Sequence, residues 1–487
     1  MVTASPNSDS PVKRFFASGI GMVLLALLAA GAAVLTARSP KLGLPALAAI
    51  PMAALLLRRA GASTALFVFI LIVNIPAVAS NFHGIPKIIA AGFVGLLAIP
   101  VFRHVVIDGK SIRFPRIAIV MALFQVLQFL GVLVAVRPDD AAIEAVLSLL
   151  EGFFVFLMIV NAVRTRAELR WALVGALVGS GFMGAITIHQ SATGSYLNNY
   201  GGFAQMGDAD IVEEQVALER SVRHAGPIGE KNRFAHVLLL CAPFALLFFG
   251  PEMRRWLPFA LMLLASTMIA FVLTRSRGCV IGLGVMCIAL VIIRRVPIRH
   301  IVLTVVLIAP AVAFVGADYV ERVGSIAEVA INASSGSIRN SDAAVRGRLN
   351  EMGAAVLVYL DHPIMGVGPQ MFKYHYREYA GMIGLHIHNT DRAAHCMYLQ
   401  VAAEHGTIGF VLFMMICWQT FVGLWNAAWR VEDANLKWLL TAILVAYIGY
   451  MTGAIFLSFT FIRYFWFLLA ISWVAIDLAK PADAKVA

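Results

Sequence analysis

Apolar residues arrive along this chain in long runs separated by short polar connections. Fourteen runs can be traced: about 15–37, 43–57, 62–80, 86–102, 116–136, 143–163, 169–189, 234–250, 256–274, 278–293, 300–317, 396–426, 437–459 and 463–479. Most approach ~20 residues, the length at which an α-helix crosses the hydrocarbon core of a bilayer. None shows the apolar–polar alternation of a barrel strand, and a spanning segment must satisfy its backbone internally, so the spans are helices. The pattern predicts an all-α polytopic transmembrane bundle of about 12–14 spans. The 43–57 and 278–293 runs are short enough to be re-entrant.

Charge then orients the bundle. With the N-terminus in the cytoplasm, the inner connections and both termini hold 20 of the 38 Lys and Arg residues, including Arg58, Arg59, Arg164, Arg166, Arg170, Arg254 and Arg255. The five short outer turns hold only 7, so the positive-inside rule puts both termini on the cytoplasmic side. The run 15–37 is too long for a cleavable leader and is expected to be a retained first span. The chain divides into N-terminal transmembrane helices (1–189), an outer loop (190–233), central helices (234–317), a large outer loop (318–395) and C-terminal helices (396–487). In the first loop, "DADIVEEQVALER" predicts a short amphipathic helix begun near Asp210. In the second, "VRGRLNEMGAAVLVYLDHP" predicts a helix along the membrane surface that Pro363 stops. No internal repeat is present.

Composition agrees. The chain has 487 residues, 60% hydrophobic and 13% charged, with a mean hydropathy of +0.84. The net charge of +11 follows from the positive-inside rule and suits an anionic substrate better than nucleic acid. Five cysteines (Cys241, Cys279, Cys287, Cys396, Cys417) lie in or beside apolar runs without CxxC spacing, so they read as small core residues with no disulfide framework.

The outer side nevertheless gathers cations that the positive-inside rule does not predict. Arg220, Arg223, Lys231 and Arg233 crowd the end of the first loop, Arg275 and Arg277 occupy the tight outer turn "LTRSRG", and Arg346 and Arg348 follow in "VRGRLNEM". Arginine there is costly unless it faces a wet cavity or an anion, and guanidinium groups bind phosphate oxygens in pairs. Individual headgroup contacts are the plainer alternative. Titratable groups also collect in "HNTDRAAHCMYLQVAAEHGTIG". Continued as a helix from His395, this stretch would place His395, Ala402 and Gly406 on one face, with Glu404 about 180° round and roughly 13 Å deeper. Glu404 is then expected to tie this helix to another, and Gly406 with Gly409 to permit close helix packing.

Metal signals are weak. His375, His386, His388 and His395 share one outer segment, but no cysteine or carboxylate of matching geometry accompanies them. Asp208 and Asp210 suit a helix cap as well as a divalent cation. The sequon at Asn332 is common by chance. No metal or cofactor is assigned.

Four ordered segments resemble the O-antigen ligase and O-antigen polymerase superfamily of bacterial polysaccharide enzymes. "RHAGPIGEKNRFA" (Arg223, Gly226, Asn232, Ala235) is similar to its Arg-x-x-Gly…Asn segment, and "LTRSRG" to its Ser-Arg-Gly turn. "RGRLNEMGAAVLVYLDHPIMGVGPQMF" is similar to its surface helix followed by Pro-x-x-Gly-x-Gly. "AHCMYLQVAAEHGTIG", with Tyr398, is similar to its His-x-x-Tyr-Leu-Gln…Glu-x-Gly-x-x-Gly helix. The likeness covers about residues 220–410. It departs where Cys396 follows His395 in place of the frequent His-Asn, while His388-Asn389 lies upstream; the Tyr-Leu-Gln register favours His395.

The resemblance implies a GT-C-like, inverting, metal-independent membrane glycosyltransferase. It would move a saccharide from an undecaprenyl diphosphate donor on the periplasmic face to an acceptor: lipid A core, a growing polysaccharide or a protein hydroxyl. His395 would handle the acceptor. Arg223, Arg275 and Arg277, with Arg346 and Arg348 as second candidates, would bind diphosphate, supported by Glu404, Asn232 and Tyr398. The rival reading is a flippase for lipid-linked sugars, which should show charges along its spans and inverted repeats.

Overall fold

The computed structural model describes residues 56–86, 95–207, 223–294, 343–385, 391–458 and 462–481. Among them the runs of the hydropathy pattern become α1 (Ala60–Ile72), α2 (Ile75–Phe82) and α3 (Gly95–Phe102), the last extended by a π turn through Ile107. There follow α4 (Ile117–Val134), α5 (Pro138–Ala162), α6 (Arg166–Ala192), α7 (Lys231–Phe249), α8 (Arg254–Leu273) and α9 (Arg277–Arg294). Two helices of the second loop come next, α10 (Ala343–Asp361) and α11 (Phe372–Ile383). The chain closes with α12 (Met397–Arg430), α13 (Ala434–Phe456) and α14 (Ile462–Leu478). Eight of these are long and apolar enough to cross a membrane, and the bent pair α1–α2 makes a ninth. The only strands among the described residues, β1 (Gln205–Met206) and β2 (His224–Gly226), pair antiparallel in the first loop.

The spans begin where capping chemistry dictates. Thr165 and Glu168 form a reciprocal capping box at α6, and Asp433 Oδ1 accepts from Leu436 N at 2.7 Å to start α13. Close packing of α6 rests on glycines. A Cβ on Gly175 would stand 2.3 Å from the Ala65 carbonyl oxygen of α1, and one on Gly184 2.5 Å from that of Ser266 in α8. Around this pair the buried core continues through α7, α13 and α14, where Phe244, Leu440, Phe467 and Leu468 are fully enclosed.

Connections that the charge pattern assigns to one side meet at one end of the bundle. There Arg164 donates to the Ser111 carbonyl at 2.8 Å, Arg113 pairs with Asp477 at 3.1 Å, Arg166 pairs with Asp433 at 3.5 Å, and Arg170 pairs with Glu252. His104 lies in the same region, buried between Glu168 (2.9 Å) and Asp108 (3.1 Å). The opposite end collects the two long loops, as in the bonds from Asn74 Nδ2 to the Pro227 carbonyl (2.9 Å) and Tyr374 to Asp140 (2.9 Å).

Several details differ from the pattern. The 62–80 run is two helices that meet at 51° around Asn74, whose φ of +61° is left-handed. The 278–293 run is one straight 18-residue helix. α10 stops at Asp361, ahead of Pro363 as expected, whereas α11 carries no clear signal in the sequence. The runs 15–37 and 300–317, most of 43–57, and the amphipathic stretch 210–218 lie outside the described residues, as do Asp208, Asp210, Arg220, Asn332, His386 and His388.

Candidate active site

Three segments assemble at the loop end. The first is the start of α7. Glu230 caps it by accepting from the backbone of Asn232 (3.0 Å) and Arg233 (2.7 Å), and from the Asn232 side-chain amide (3.0 Å). The amide is thereby oriented so that its Oδ1 accepts from Arg223 Nη2 at 3.3 Å and Ser276 Oγ at 3.0 Å. Arg223 reaches on, donating from Nε to the Thr274 carbonyl and from Nη2 to the Arg275 carbonyl, both at 3.1 Å.

These bonds clamp the α8–α9 turn. Arg275 there has a φ of +53°, a left-handed conformation that costs a non-glycine residue ~1 kcal/mol and persists only where the surroundings impose it. The charge of Arg275 also reaches the buried His224. Burial first, and Arg275 second, push that imidazole down to about 4, and its Nδ1 donates to Gln190 Oε1 at 2.9 Å.

The second segment is α10. Arg348, half-buried, lies within electrostatic reach of Glu351, Glu230, Cys279 and Arg277. Burial holds its guanidinium below the usual range, and Arg277 adds to that effect while the two carboxylates oppose it. Glu351 follows three positions on, so it shares Arg348's side of the helix, and it is 2% exposed. The third segment is the lead into α12. Glu351 Oε2 stands 3.7 Å from His395 Nε2, and Oε1 stands 4.0 Å from Arg392 Nε. Burial pushes the Glu351 carboxyl up to about 7 against the opposing pull of Arg392 and Arg348.

Arg223, Asn232, Arg275, Arg277, Arg348 and His395 are therefore drawn into one connected set. Arg346, two positions before Arg348 and so about 200° round α10, belongs to another side of that helix. Tyr398 and Glu404 hold α12 in place. The Tyr398 hydroxyl donates to the Met451 carbonyl of α13 at 2.7 Å. Glu404, 2% exposed, accepts from Gln400 Nε2 at 3.0 Å and from the backbone of Gln370 and Phe372.

The helix expected to run unbroken from His395 through Gly406 is a different object. His395 precedes α12 with a φ of +49°, Cys396 is extended at φ −146°, and helical geometry starts at Met397. At Gly406, with φ +61° and ψ −165°, α12 breaks. The segment after α10 bonds across the break: Val367 N donates to the Ala403 carbonyl at 3.0 Å, Gly368 N to the Glu404 carbonyl at 2.9 Å, and Thr407 N to the Pro363 carbonyl at 2.7 Å. Gly406 thus accommodates an inserted backbone rather than a packed helix. Gly409 does serve packing, since a Cβ there would lie 3.0 Å from Leu127 of α4. His375 neighbours His362, ring centroids 6.0 Å apart.

Glu351, Arg392, Ser276 and Glu230 escaped the reading of the sequence. Glu351 had a signal: a carboxylate one turn beyond Arg348, on a helix face that continues through Ala354, Ala355 and Val358. Next to the set, between α7, α13 and α14, a small recess is lined by Arg233, His236, Met397, Tyr450, Tyr464 and Phe465. His236 is locked there, stacked on the Tyr450 ring at 4.0 Å and donating to the Tyr450 carbonyl at 2.8 Å.

Residues 257–414 match the family described as O-Antigen ligase. That segment supports the likeness to the O-antigen ligase and polymerase superfamily seen in the sequence motifs. No curated protein matches the chain. The matched segment contains the α8–α9 turn, α10, His395 and the first half of α12 with its break at Gly406. Arg223, Glu230 and Asn232 precede it and join it through their bonds to Thr274, Arg275 and Ser276.

Proposed function

We propose that this protein is an inverting, metal-independent glycosyltransferase of the inner membrane, with its site facing the periplasm and both termini in the cytoplasm. It transfers a saccharide from an undecaprenyl-diphosphate-linked donor to an acceptor glycan, in the manner of an O-antigen ligase or polysaccharide polymerase. The observation that carries this reading is the contact of His395 with Glu351, one helical turn from Arg348 and so from the arginine-rich turn at Arg277.

In that reading the acceptor hydroxyl attacks the anomeric carbon of the donor sugar. A new C–O bond forms as the bond from that carbon to the diphosphate oxygen breaks, and the electron pair leaves with the lipid diphosphate. The hydroxyl proton passes to the His395 imidazole, which can be neutral at working pH. Arg223, Arg275, Arg277 and Arg348 supply fixed cations to the departing diphosphate, with Arg346 a further candidate. Asn232 orients Arg223, while Tyr398 and Glu404 support the helix that His395 precedes.

The test is glycan transfer from the carrier-linked donor by purified protein, with His395→Ala and Arg277→Ala beside it. Loss of at least ~10²-fold in kcat for the first and a weakened donor KM for the second are expected. Full activity in both variants sinks the site.

A further inference from the structure

Resting on the reading of His395 as the group that takes the acceptor proton, we propose that Glu351 is its positioning residue: the carboxylate holds the imidazole in place and pairs with the imidazolium formed during transfer.

The argument begins with the cost of the residue. α10 turns Asn350, Glu351, Ala354, Ala355 and Val358 inward, and all five are buried. Asn350 explains itself structurally, since its Oδ1 accepts from Leu385 N at 3.2 Å and its amide reaches the Ala380 carbonyl at 3.4 Å. Among the described residues, Glu351 makes no comparable bond to the scaffold. A buried carboxylate is expensive, and an apolar residue would extend the Ala354–Val358 face at no such cost. Among the described residues, the charged and titratable groups facing Glu351 come from the site. Arg348 comes from α10 itself, and Arg392 and His395 come from the lead into α12. Arg277 of α9 and Glu230 at the start of α7 stand behind Arg348.

The separation of 3.7 Å between Glu351 Oε2 and His395 Nε2 lies within charge-pairing reach but outside hydrogen-bond distance. Such contacts commonly tighten once substrate fills the site. A carboxylate beside Nε2 favours the tautomer with its proton there, and it stabilises the ring once both nitrogens are protonated. Arg348 and Arg392 share the same carboxylate. A diphosphate drawing those guanidinium groups away would leave more of its charge to His395.

Two readouts test this on the full-length protein in detergent. In the first, histidines are isotopically labelled, His395 is assigned by comparison with His395→Gln, and its ring is titrated by NMR. The His395 midpoint should fall by ~1 pH unit in Glu351→Gln and by less in Glu351→Asp, which keeps the charge. In the second, kcat for glycan transfer should drop ~10–100-fold in Glu351→Gln with a smaller change in donor KM, and Glu351→Asp should recover part of it. An unchanged His395 titration, or full kcat in Glu351→Gln, overturns the assignment. Should Glu351→Gln fail to fold, the Glu351→Asp titration decides: a midpoint identical to wild type counts against the pairing. A wild-type protein with no transferase activity would remove the proposed function, while the titration still reports whether Glu351 governs His395.

Discussion

The Pro363 carbonyl accepts two hydrogen bonds from Thr407, one from its backbone N–H at 2.7 Å and one from its hydroxyl at 2.8 Å. A residue just beyond the surface helix thus fills the gap where α12 has come apart. Gly366 and Gly406 make this possible, because a Cβ on either would stand 2.3 Å from a backbone carbonyl carbon, of Glu404 or of Ile364. Both also have positive φ. Gly406→Ala and Gly366→Ala should each cost more than ~2 kcal/mol and lower Tm by several degrees. Gly384→Ala, also at positive φ but with no atom closer than 4.0 Å, should cost only ~1 kcal/mol. Equal thermal shifts for Gly406→Ala and Gly384→Ala would show that the insertion is not what holds the break.

Glu404 belongs to the same joint. Its carboxylate serves the backbone of Gln370 and Phe372, so its removal should act on stability before chemistry. Glu404→Ala, which strands those donors, should destabilise by about 2–4 kcal/mol, and Glu404→Gln, which keeps one acceptor, by less. Glu404→Gln that folds as wild type yet has lost all turnover would instead make Glu404 a participant in the reaction.

Asn232 joins Arg223, Ser276 and Glu230 through a single amide. Asn232→Ala should misorient Arg223 and raise the donor KM ~10-fold, with kcat changed less. Steady-state kinetics over donor concentration separates the two, and an effect confined to kcat would contradict its assignment to the diphosphate side.

The pH dependence of stability isolates Glu351. Its carboxyl is raised from the ordinary 4.5 to about 7, so the folded protein binds this proton more tightly than the unfolded chain. The stability it contributes is present below about 4.5 and is lost as pH rises through about 7. His224, pushed from 6.5 down to about 4, acts in the opposite sense and loses its contribution as pH falls. Comparison of wild type with Glu351→Gln removes the His224 part. Between pH 5 and pH 8 wild type should lose about 1–3 kcal/mol relative to the variant, read from Tm or denaturant midpoints. Parallel profiles would place the Glu351 carboxyl in its usual range.

Thr165 offers a control at the far end of the bundle. Thr165→Ala removes the hydroxyl that accepts from Glu168 N at 3.2 Å and should cost ~1 kcal/mol of stability, with glycan transfer by the folded fraction unaltered. A lowered kcat in folded protein would mean that the two ends are coupled.

Much of this molecule was legible in one dimension. Residues 116–136 and 169–189 announce spans because bilayer length and apolarity are local properties, and α4 and α6 follow them within a few residues. The pairing of Arg113 with Asp477 and of Arg166 with Asp433 brings together connections that charge counting had already placed on one side. The outer arginines could be suspected individually, because a guanidinium beside a span is costly wherever it sits.

What required the tertiary structure is every relation between distant segments. Arg223 meets the Thr274 carbonyl across 51 positions, and no local rule pairs them. Helical arithmetic from His395 failed because it presumes one continuous helix. Its left-handed φ ahead of α12 and the Gly406 break arise where another stretch of backbone approaches and supplies the hydrogen bonds that the helix gives up. Glu351 looked like one acid on a surface helix until folding set it against His395 and Arg392. By itself the sequence determined the spans, their helical character and the likeness of residues 257–414 to an O-antigen ligase domain, all of which are written in short windows. Which charges meet, and which histidine nitrogen faces a carboxylate, depended on long-range packing of loops whose own residues carry no periodic signal.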